Sequence, residues 1–305
     1  MEIRMDKTRK NRNLFFNNDK FFDIFTYIVL TLVLIVVAYP LYFVLIASIS
    51  NPAQVSNGTV MFYPRGFTLD GYKAVWKESQ VVRGFLNSLL YTVVGTSVNL
   101  CVTIPAAFAL SRPNLKGKRF IMIFFIIPMY ISGGMIPTYL VVRNLNLYNS
   151  MWSLILPGAI SIYNLIICRT FFSNTIDQGL VEAAKIDGCS NAKFFFHIAL
   201  PISGAIIAIM VLYYGVAHWN AYFNSMIYIK DMEKFPLQLI LRTLLMKIPK
   251  AAEVAGDIAE VQRQQQIAEL MKYSLIIVSS IPVLILYPFI QKHFVKGVMI
   301  GSLKG

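Results

Sequence analysis

Six stretches of this chain are apolar over about the length a membrane crossing needs. They fall near residues 25–48, 87–110, 120–142, 152–172, 198–219 and 273–290. A hydrocarbon core roughly 30 Å thick takes about 20 residues of helix. The last stretch, YSLIIVSSIPVLILYPFI, contains no charged residue. Backbone groups in lipid must be satisfied within the segment, so these stretches are predicted as helices rather than open strands. The pattern predicts an all-α polytopic membrane protein with six spans and one transmembrane domain over 21–290. Residues 1–20 are read as a flexible tail before it and 291–305 as a tail after it.

Polar punctuation subdivides what lies between. In loop 50–86, Pro52, Asn57, Gly58, Pro64 and Gly66 mark turns. Residues 69–77 read as a short helix capped by Thr68, with Tyr72 and Trp76 suited to headgroup level. The long loop 220–272 has two helical patches, KFPLQLILRTLLM starting near Pro236 and IAEVQRQQQIAELMKY leading into the last span. It is expected to pack over the outer mouth. Pro128, Gly133, Gly134 and Pro137 interrupt span three and predict a kinked helix there.

Composition agrees with this reading and removes some alternatives. The 305 residues are 56% hydrophobic and 14% charged, against about a quarter charged in a soluble domain. The net charge of +13 raises nucleic acid as a partner, but its distribution argues against one. Arg4, Lys7, Arg9, Lys10, Arg12 and Lys20 precede span one; Arg112, Lys116, Lys118 and Arg119 crowd loop 111–119; loop 143–151 carries only Arg143. This positive-inside asymmetry places both termini and loop 111–119 in the cytoplasm. The N-terminus shows no small-residue cleavage pattern of a secretory signal. Cys101 and Cys168 lie in spans and Cys189 in a loop, so neither a disulfide framework nor a metal site is indicated.

The chemistry concentrates in the loop 173–197. Glu182, Ala183 and Ala184 are separated by three residues from Gly188, and Gly188 by nine from Ile198, Leu200 and Pro201. Glu182 to Ile186 reads as a short helix whose two alanines present a small, flat face. Gly188 can take positive φ and end it. Ser190 then caps a second short helix, Asn191 to His197, edged by Phe194, Phe195 and Phe196. Pro201 falls in the first turn of span five. No G-x-x-x-x-G-K-[ST] occurs, so the chain lacks a phosphate cradle of the P-loop kind.

This order of seven residues across twenty resembles the cytoplasmic coupling motif of permease subunits of bacterial ABC importers. The segments FTLDGYKAVW (67–76) and QKHFVKGVMIGSLKG (291–305) are similar to the carbohydrate-uptake class, in particular the smaller maltose-type permease. The resemblance implies a non-catalytic translocation subunit of a sugar or oligosaccharide importer in the bacterial cell membrane. It implies that the elbow residues Glu182, Ala183, Ala184, Asp187, Gly188, Leu200 and Pro201 couple to a groove on the ATPase. It also makes Gly297, Gly301 and Lys304 of the tail contacts between ATPase subunits. The implied partners are a homologous second permease, two ATPase subunits carrying ATP and Mg2+, and an extracellular or periplasmic solute-binding protein. No cofactor is expected on this chain. An importer permease for an amino acid, peptide or metal ion shares the elbow and stands as the alternative.

Sugars bind by stacking on aromatic faces and by hydrogen bonds from amides. Trp152, Tyr163 and Asn164 in span four, and Trp219, Asn220 and Tyr222 at the end of span five, are chemically suited. Trp and Tyr at span ends are also interfacial belt residues. The spans hold no interior Asp or Glu, which disfavours proton or sodium coupling. His197, His218 and His293 lie far apart in the chain with no nucleophile arrangement beside them, which disfavours a membrane enzyme.

Overall fold

Every described element is helical, as backbone desolvation in a membrane requires. The structure is a computed structural model that describes residues 3–251, 270–286 and 288, with the backbone alone for 3–19, 245 and 247–251. By its contacts the chain divides into two compact units, Met1–Lys73 with Asp257–Ile277, and Ala74–Gly256 with Val278–Gly305.

The first unit begins with α1, Ile3–Ser48, whose stretch Lys20–Ser48 is long and apolar enough to span a membrane. The helix reaches back to Ile3, so the backbone of the expected flexible tail 1–20 is helical from residue 3. Hydroxyls absorb the carbonyls at its end: Ser48 Oγ donates to Leu45 O at 2.8 Å and Ser50 Oγ to Ile46 O at 2.6 Å. α2 (Pro52–Ser56) starts where the sequence put a turn, with Asn51 Oδ1 accepting from Ala53 N at 3.0 Å and Pro52 in its first turn. Thr68 Oγ1 accepts from Asp70 N at 3.2 Å and so caps α3 (Asp70–Lys77), as its spacing predicted. Ile46, Ala47, Val55 and Val60 form a small core against Phe43 and Tyr273.

The second unit is organised on α4, Ser79–Ser111, which starts eight residues before the expected span two. Its buried face carries Ser88, Gly95, Thr96, Asn99 and Thr103 as well as Ile104, Ala107 and Phe108. Small and polar residues suit helix–helix contact inside a membrane, where apolar burial gives little preference between lipid and protein. The next segment folds back instead of kinking: α5 (Lys118–Tyr130) and α6 (Met135–Asn144) meet at 116°. Gly134 sits at the corner with φ +86°, ψ 178°, a conformation that a Cβ makes costly. Gly and Pro therefore end span three as a continuous helix.

Span four is also broken. α7 (Trp152–Ile155) and its short 3-10 extension to Gly158 meet α8 (Ile162–Thr175) at 52°. After the elbow (α9, Gln178–Ile186; α10, Asn191–Phe194; α11, Leu200–Ile202), α12 (Gly204–Trp219) turns away at 80°. Span five is thus bent at Ser203 rather than continuous from 198 to 219. Among the described residues two helices are long and apolar enough to cross a membrane, or up to five spans if each bent pair is one; α15, Leu270–Leu286, is a shorter apolar helix.

α13 (Phe223–Tyr228) and α14 (Leu237–Ala251) follow, and α14 starts where the amphipathic pattern after Pro236 predicted. It lies against the first half of α4: Leu237 N donates to Ser88 Oγ at 2.8 Å, and Asn87 Nδ2 donates to Glu233 O at 2.7 Å and Phe235 O at 3.1 Å. Asn149, in the left-handed region at φ 61°, ties this loop to the connection between α6 and α7. Its Oδ1 accepts from Lys230 N and Asp231 N, both at 3.1 Å, and its Nδ2 donates to Asp231 Oδ2 at 2.7 Å. That hydrogen bond, with one from Lys234, holds the exposed Asp231 carboxyl below its ordinary range. Most of the patch IAEVQRQQQIAELMKY lies outside the described residues.

α4 and α12 approach closely at Gly95, where an added Cβ would stand 2.6 Å from ring atoms of His218. Helix propensity favours Gly→Ala by about 0.5–1 kcal/mol, whereas overpacking a filled contact costs about 1–3 kcal/mol. Gly95→Ala should therefore lower the thermal midpoint in detergent by several degrees. Gly204→Ala, with nothing within 4 Å of its Cβ, should leave it equal or slightly higher. Thermal unfolding of the two variants checks this, and a more stable Gly95→Ala would refute the close contact.

Candidate functional site

Local sequence chemistry builds the elbow. Asp177 Oδ1 accepts from Gly179 N at 2.6 Å and opens α9, which runs four residues earlier than the Glu182 start read from sequence. At its other end Gly188 has φ +73°, Gly188 N donates to Lys185 O at 3.0 Å and Cys189 N to Ala184 O at 2.9 Å. These two bonds form a Schellman cap. Ser190 Oγ then accepts from Lys193 N at 3.3 Å and starts α10. Both caps fall where the sequence placed them.

Beyond α10 the chain makes a π-helical turn over Phe195–Ala199 before α11 and the bend at Ser203. Ser203 is fully buried, and its Oγ donates to Ala199 O at 2.7 Å. Pro201 therefore lies before the bend, not in the first turn of an unbroken span.

The elbow has two faces. Val181, Ala184, Phe194, Phe195 and Ala199 are buried in one cluster with residues of α4, α8 and α12. Phe108 of α4 centres it: its ring stands edge-on to Phe172 at 5.7 Å, stacks on Phe194 at 6.1 Å and lies 5.0 Å from Phe195. The guanidinium of Arg112 sits 4.8 Å from the same ring centre. The opposite face carries Glu182, Ala183, Ile186, Asp187 and Gly188, all exposed, with Ile186 at 87%. Gln178 Nε2 donates to Glu182 Oε1 at 3.1 Å and holds that carboxylate on the outer face.

Two expectations change here. Ala183 and Ala184 do not share a face: Ala184, at 9% exposure, packs inward, because consecutive helical positions point about 100° apart. The three phenylalanines likewise split, with Phe196 exposed at 60%. Leu200 packs half-buried against the cluster and Pro201 is exposed, so neither joins Glu182 on the outer face of α9. Gly297, Gly301 and Lys304 lie outside the described residues.

The sugar candidates are dispersed. Asn164 is buried, and Trp219 is 3% exposed, donating Nε1–H to Ser279 O at 2.8 Å and meeting Phe85 edge-on. Trp152 and Tyr163 are partly exposed at 39% and 61%, Asn220 bonds its own helix at Val216 O, and Tyr222 lies under Arg242. Trp219 alone of these six lines the apolar cavity of about 370 Å3 between α4, α12 and α15.

Sequence reasoning missed a polar network inside the spans. Asn99 Nδ2 donates to Gly158 O and Ala159 O, both at 2.8 Å, so Asn99 Oδ1 is the acceptor for His218 Nε2–H at 2.6 Å. The hydrogen-bond pattern assigns that tautomer. Nearby, Tyr214 OH meets Thr103 Oγ1 at 2.8 Å and accepts from Ser161 N at 3.2 Å. The network occupies the break in span four and satisfies its freed backbone groups. Its signal was present: Asn, His, Thr and Tyr facing inward in apolar segments mark membrane polar sites.

The comparisons say which class of helical membrane protein carries this elbow. The model of the family "Binding-protein-dependent transport system inner membrane component" matches residues 85–300, and the chain belongs to that family. It is 38% identical over 94% of its length to the polygalacturonan/rhamnogalacturonan transport system permease protein YtcP of Bacillus subtilis (strain 168), covering 99% of that protein. It is 40% identical to Protein LplC of the same organism, covering 87% of this chain and 89% of that one. A solved bacterial ABC transporter involved in the import of the acidic polysaccharide alginate has a chain that superposes with TM-score 0.82 at 27% identity. That match covers 91% of this chain and 98% of the other.

The cap at Gly188 has open space around it, so a side chain there costs conformation and not sterics. A Cβ in the left-handed region costs about 1–2 kcal/mol, less for Asn. Hydrogen exchange read by mass spectrometry on peptides covering 178–194 should speed up several-fold in Gly188→Val and stay near wild type in Gly188→Asn. Equal exchange in all three would show that the cap does not hold the elbow.

Proposed function

We propose that this chain is one of two permeases in an ATP-driven oligosaccharide importer, and that its elbow docks into a groove on a separate ATPase. The observation that carries this reading is the two-faced elbow. Its outer face offers two carboxylates, a small side chain and an exposed isoleucine, while its inner face is cemented to the helices that would line the path. A partner that grips Glu182, Ala183, Ile186 and Asp187 can therefore move the membrane helices with it. ATP and Mg2+ belong to the partner in this scheme, and this chain contributes no catalytic residue.

The positive-inside bias of loop 111–119 supports a cytoplasmic elbow and cytoplasmic termini. On this reading Gly297, Gly301 and Lys304 reach the ATPase interface, and a solute-binding protein delivers the sugar from outside. ATP binding closes the ATPase pair and draws the elbows together, opening the cavity outward; hydrolysis reverses the motion. The names of the relatives support a carbohydrate cargo. Two of them, the permease named for polygalacturonan and rhamnogalacturonan and the alginate importer, favour uronate-containing oligosaccharides.

The test is uptake of labelled oligogalacturonides by cells carrying Glu182→Lys or Ile186→Asp in place of the wild-type chain, with the ATPase co-purified from the same cells. Both variants should reach the membrane at wild-type levels, because neither side chain is buried. Each should lose about tenfold or more in ATPase retention and uptake, equivalent to about 1.4 kcal/mol at the contact. Wild-type retention and uptake in both would remove the docking role. Uptake of a neutral oligosaccharide but no uronate would overturn the cargo class alone.

A further inference from the structure

Behind the elbow lies a recess of about 380 Å3, whose lining includes neither Glu182 nor Ile186 of the outer face. Phe108, Ala109, Leu115 and Phe195 give it an apolar wall, while Arg112, Asn114, Gln178, Lys185 and Asn191 give it a polar one. No carboxylate is among its lining residues. Arg112 is fixed in place: Nε donates to Ser111 Oγ at 3.0 Å, Nη2 to Phe172 O at 3.2 Å, and the plane rests near the Phe108 ring. These bonds use two of its five N–H donors and leave the others for a ligand.

Two further cations gather behind it. Lys118 Nζ lies 3.5 Å from Ser111 O and 3.4 Å from Arg112 O, and Arg169 Nε donates to Leu110 O at 3.2 Å. The carbonyl end of α4 offsets only about half a charge. Among the described residues none of Arg112, Lys118, Arg169 and Lys185 forms an ion pair. Like charges so close to one another repel, and a bound anion relieves that repulsion.

The geometry points to a binding site for a phosphate-bearing anion, the headgroup of an anionic membrane phospholipid such as phosphatidylglycerol. The reason for a lipid is position and shape. The recess opens between the end of α4 and the elbow helices α9 and α10, where α4 leaves its apolar span, and its wall is largely apolar, which suits the glycerol and first acyl carbons. Basic pockets between spans on the cytoplasmic side recognise anionic headgroups by this combination. Arg112 supplies a planar fork for the phosphodiester and Lys185 a second charge, while the amides of Asn114 and Asn191 suit headgroup hydroxyls. A headgroup held this way bridges the end of α4 to α9 and stiffens the elbow from its inner side. The inference rests on the cytoplasmic placement of the elbow proposed above.

The whole transporter, purified with its ATPase, is placed in nanodiscs of phosphatidylcholine alone or of phosphatidylcholine containing phosphatidylglycerol, and retained lipid is counted by native mass spectrometry. The wild type should retain phosphatidylglycerol over phosphatidylcholine. Lys185→Gln, and Arg112→Gln where it folds, should lower that retention about tenfold, while Lys193→Gln, outside the recess, should not. Added inorganic phosphate should not displace the lipid. Equal phosphatidylglycerol retention in Lys185→Gln overturns the site, and displacement by inorganic phosphate overturns the lipid and leaves a soluble phosphate as ligand. Loss of the ATPase in Lys185→Gln with lipid retention unchanged overturns it in favour of a protein contact. Lipid retention is read on the permease itself, so its failure is distinct from that of the docking role, which Glu182→Lys decides.

Discussion

The ring of Phe108 has to be in contact with three other rings at once, and much of the second unit follows from that contact. Phe172 brings the end of α8, Phe194 brings α10, and Phe195 brings the π turn that leads to α12. Aromatic pairs in these geometries contribute about 0.5–1.5 kcal/mol each beyond their buried area. Arg112 closes the set from the polar side by lying near the same ring and bonding Phe172 O. The elbow is consequently part of the helix bundle rather than a loop hung below it. A force applied to its outer face reaches α4, α8 and α12 through packed side chains, which transmit strain because they leave little room to yield.

The broken spans follow from a second constraint. A helix interrupted inside lipid exposes carbonyls and amides that no water can satisfy. In span four the side chains of Asn99 and Tyr214 take up those groups, and His218 fixes the orientation of Asn99. At Ser203 the hydroxyl returns to Ala199 O. These two bends are thus stabilised by polar side chains placed at them, and those polar residues fall on the helix faces that pack together. The same arrangement explains why Gly95 has no side chain: the His218 ring occupies that space.

Much of the elbow was legible in the sequence because its signals are local. Ser190 as a cap, Gly188 at positive φ and Thr68 before α3 depend on residues within a few positions, and all three stand where the sequence put them. Directions were harder. Ala183 and Ala184 look equivalent in a string, yet one faces out and the other packs in the core, a distinction set by the phase of α9 against distant Phe108. The bends at 116°, 52° and 80° were read as a kink or as continuous spans, since hydropathy counts apolar residues and carries no direction. His218 was read as isolated because its partner, Asn99, is 119 residues away. Burial of the sugar candidates was equally hidden: Trp219 is 3% exposed, meets Phe85 edge-on and bonds its N–H to Ser279 O, 60 residues away.

The central claim is that the Phe108 cluster carries motion from the elbow into the membrane helices. The most direct measurement is the number of oligosaccharides transported per ATP hydrolysed in proteoliposomes holding the complete transporter, with wild type compared to Phe108→Leu. Leucine keeps the site apolar but removes all three ring contacts, leaving the outer face of the elbow untouched. The ATPase should stay bound and hydrolyse ATP within about twofold of wild type, while transport per ATP falls about tenfold, a coupling loss near 1.4 kcal/mol. An unchanged ratio would contradict the claim, since the elbow would then move the helices by some other route.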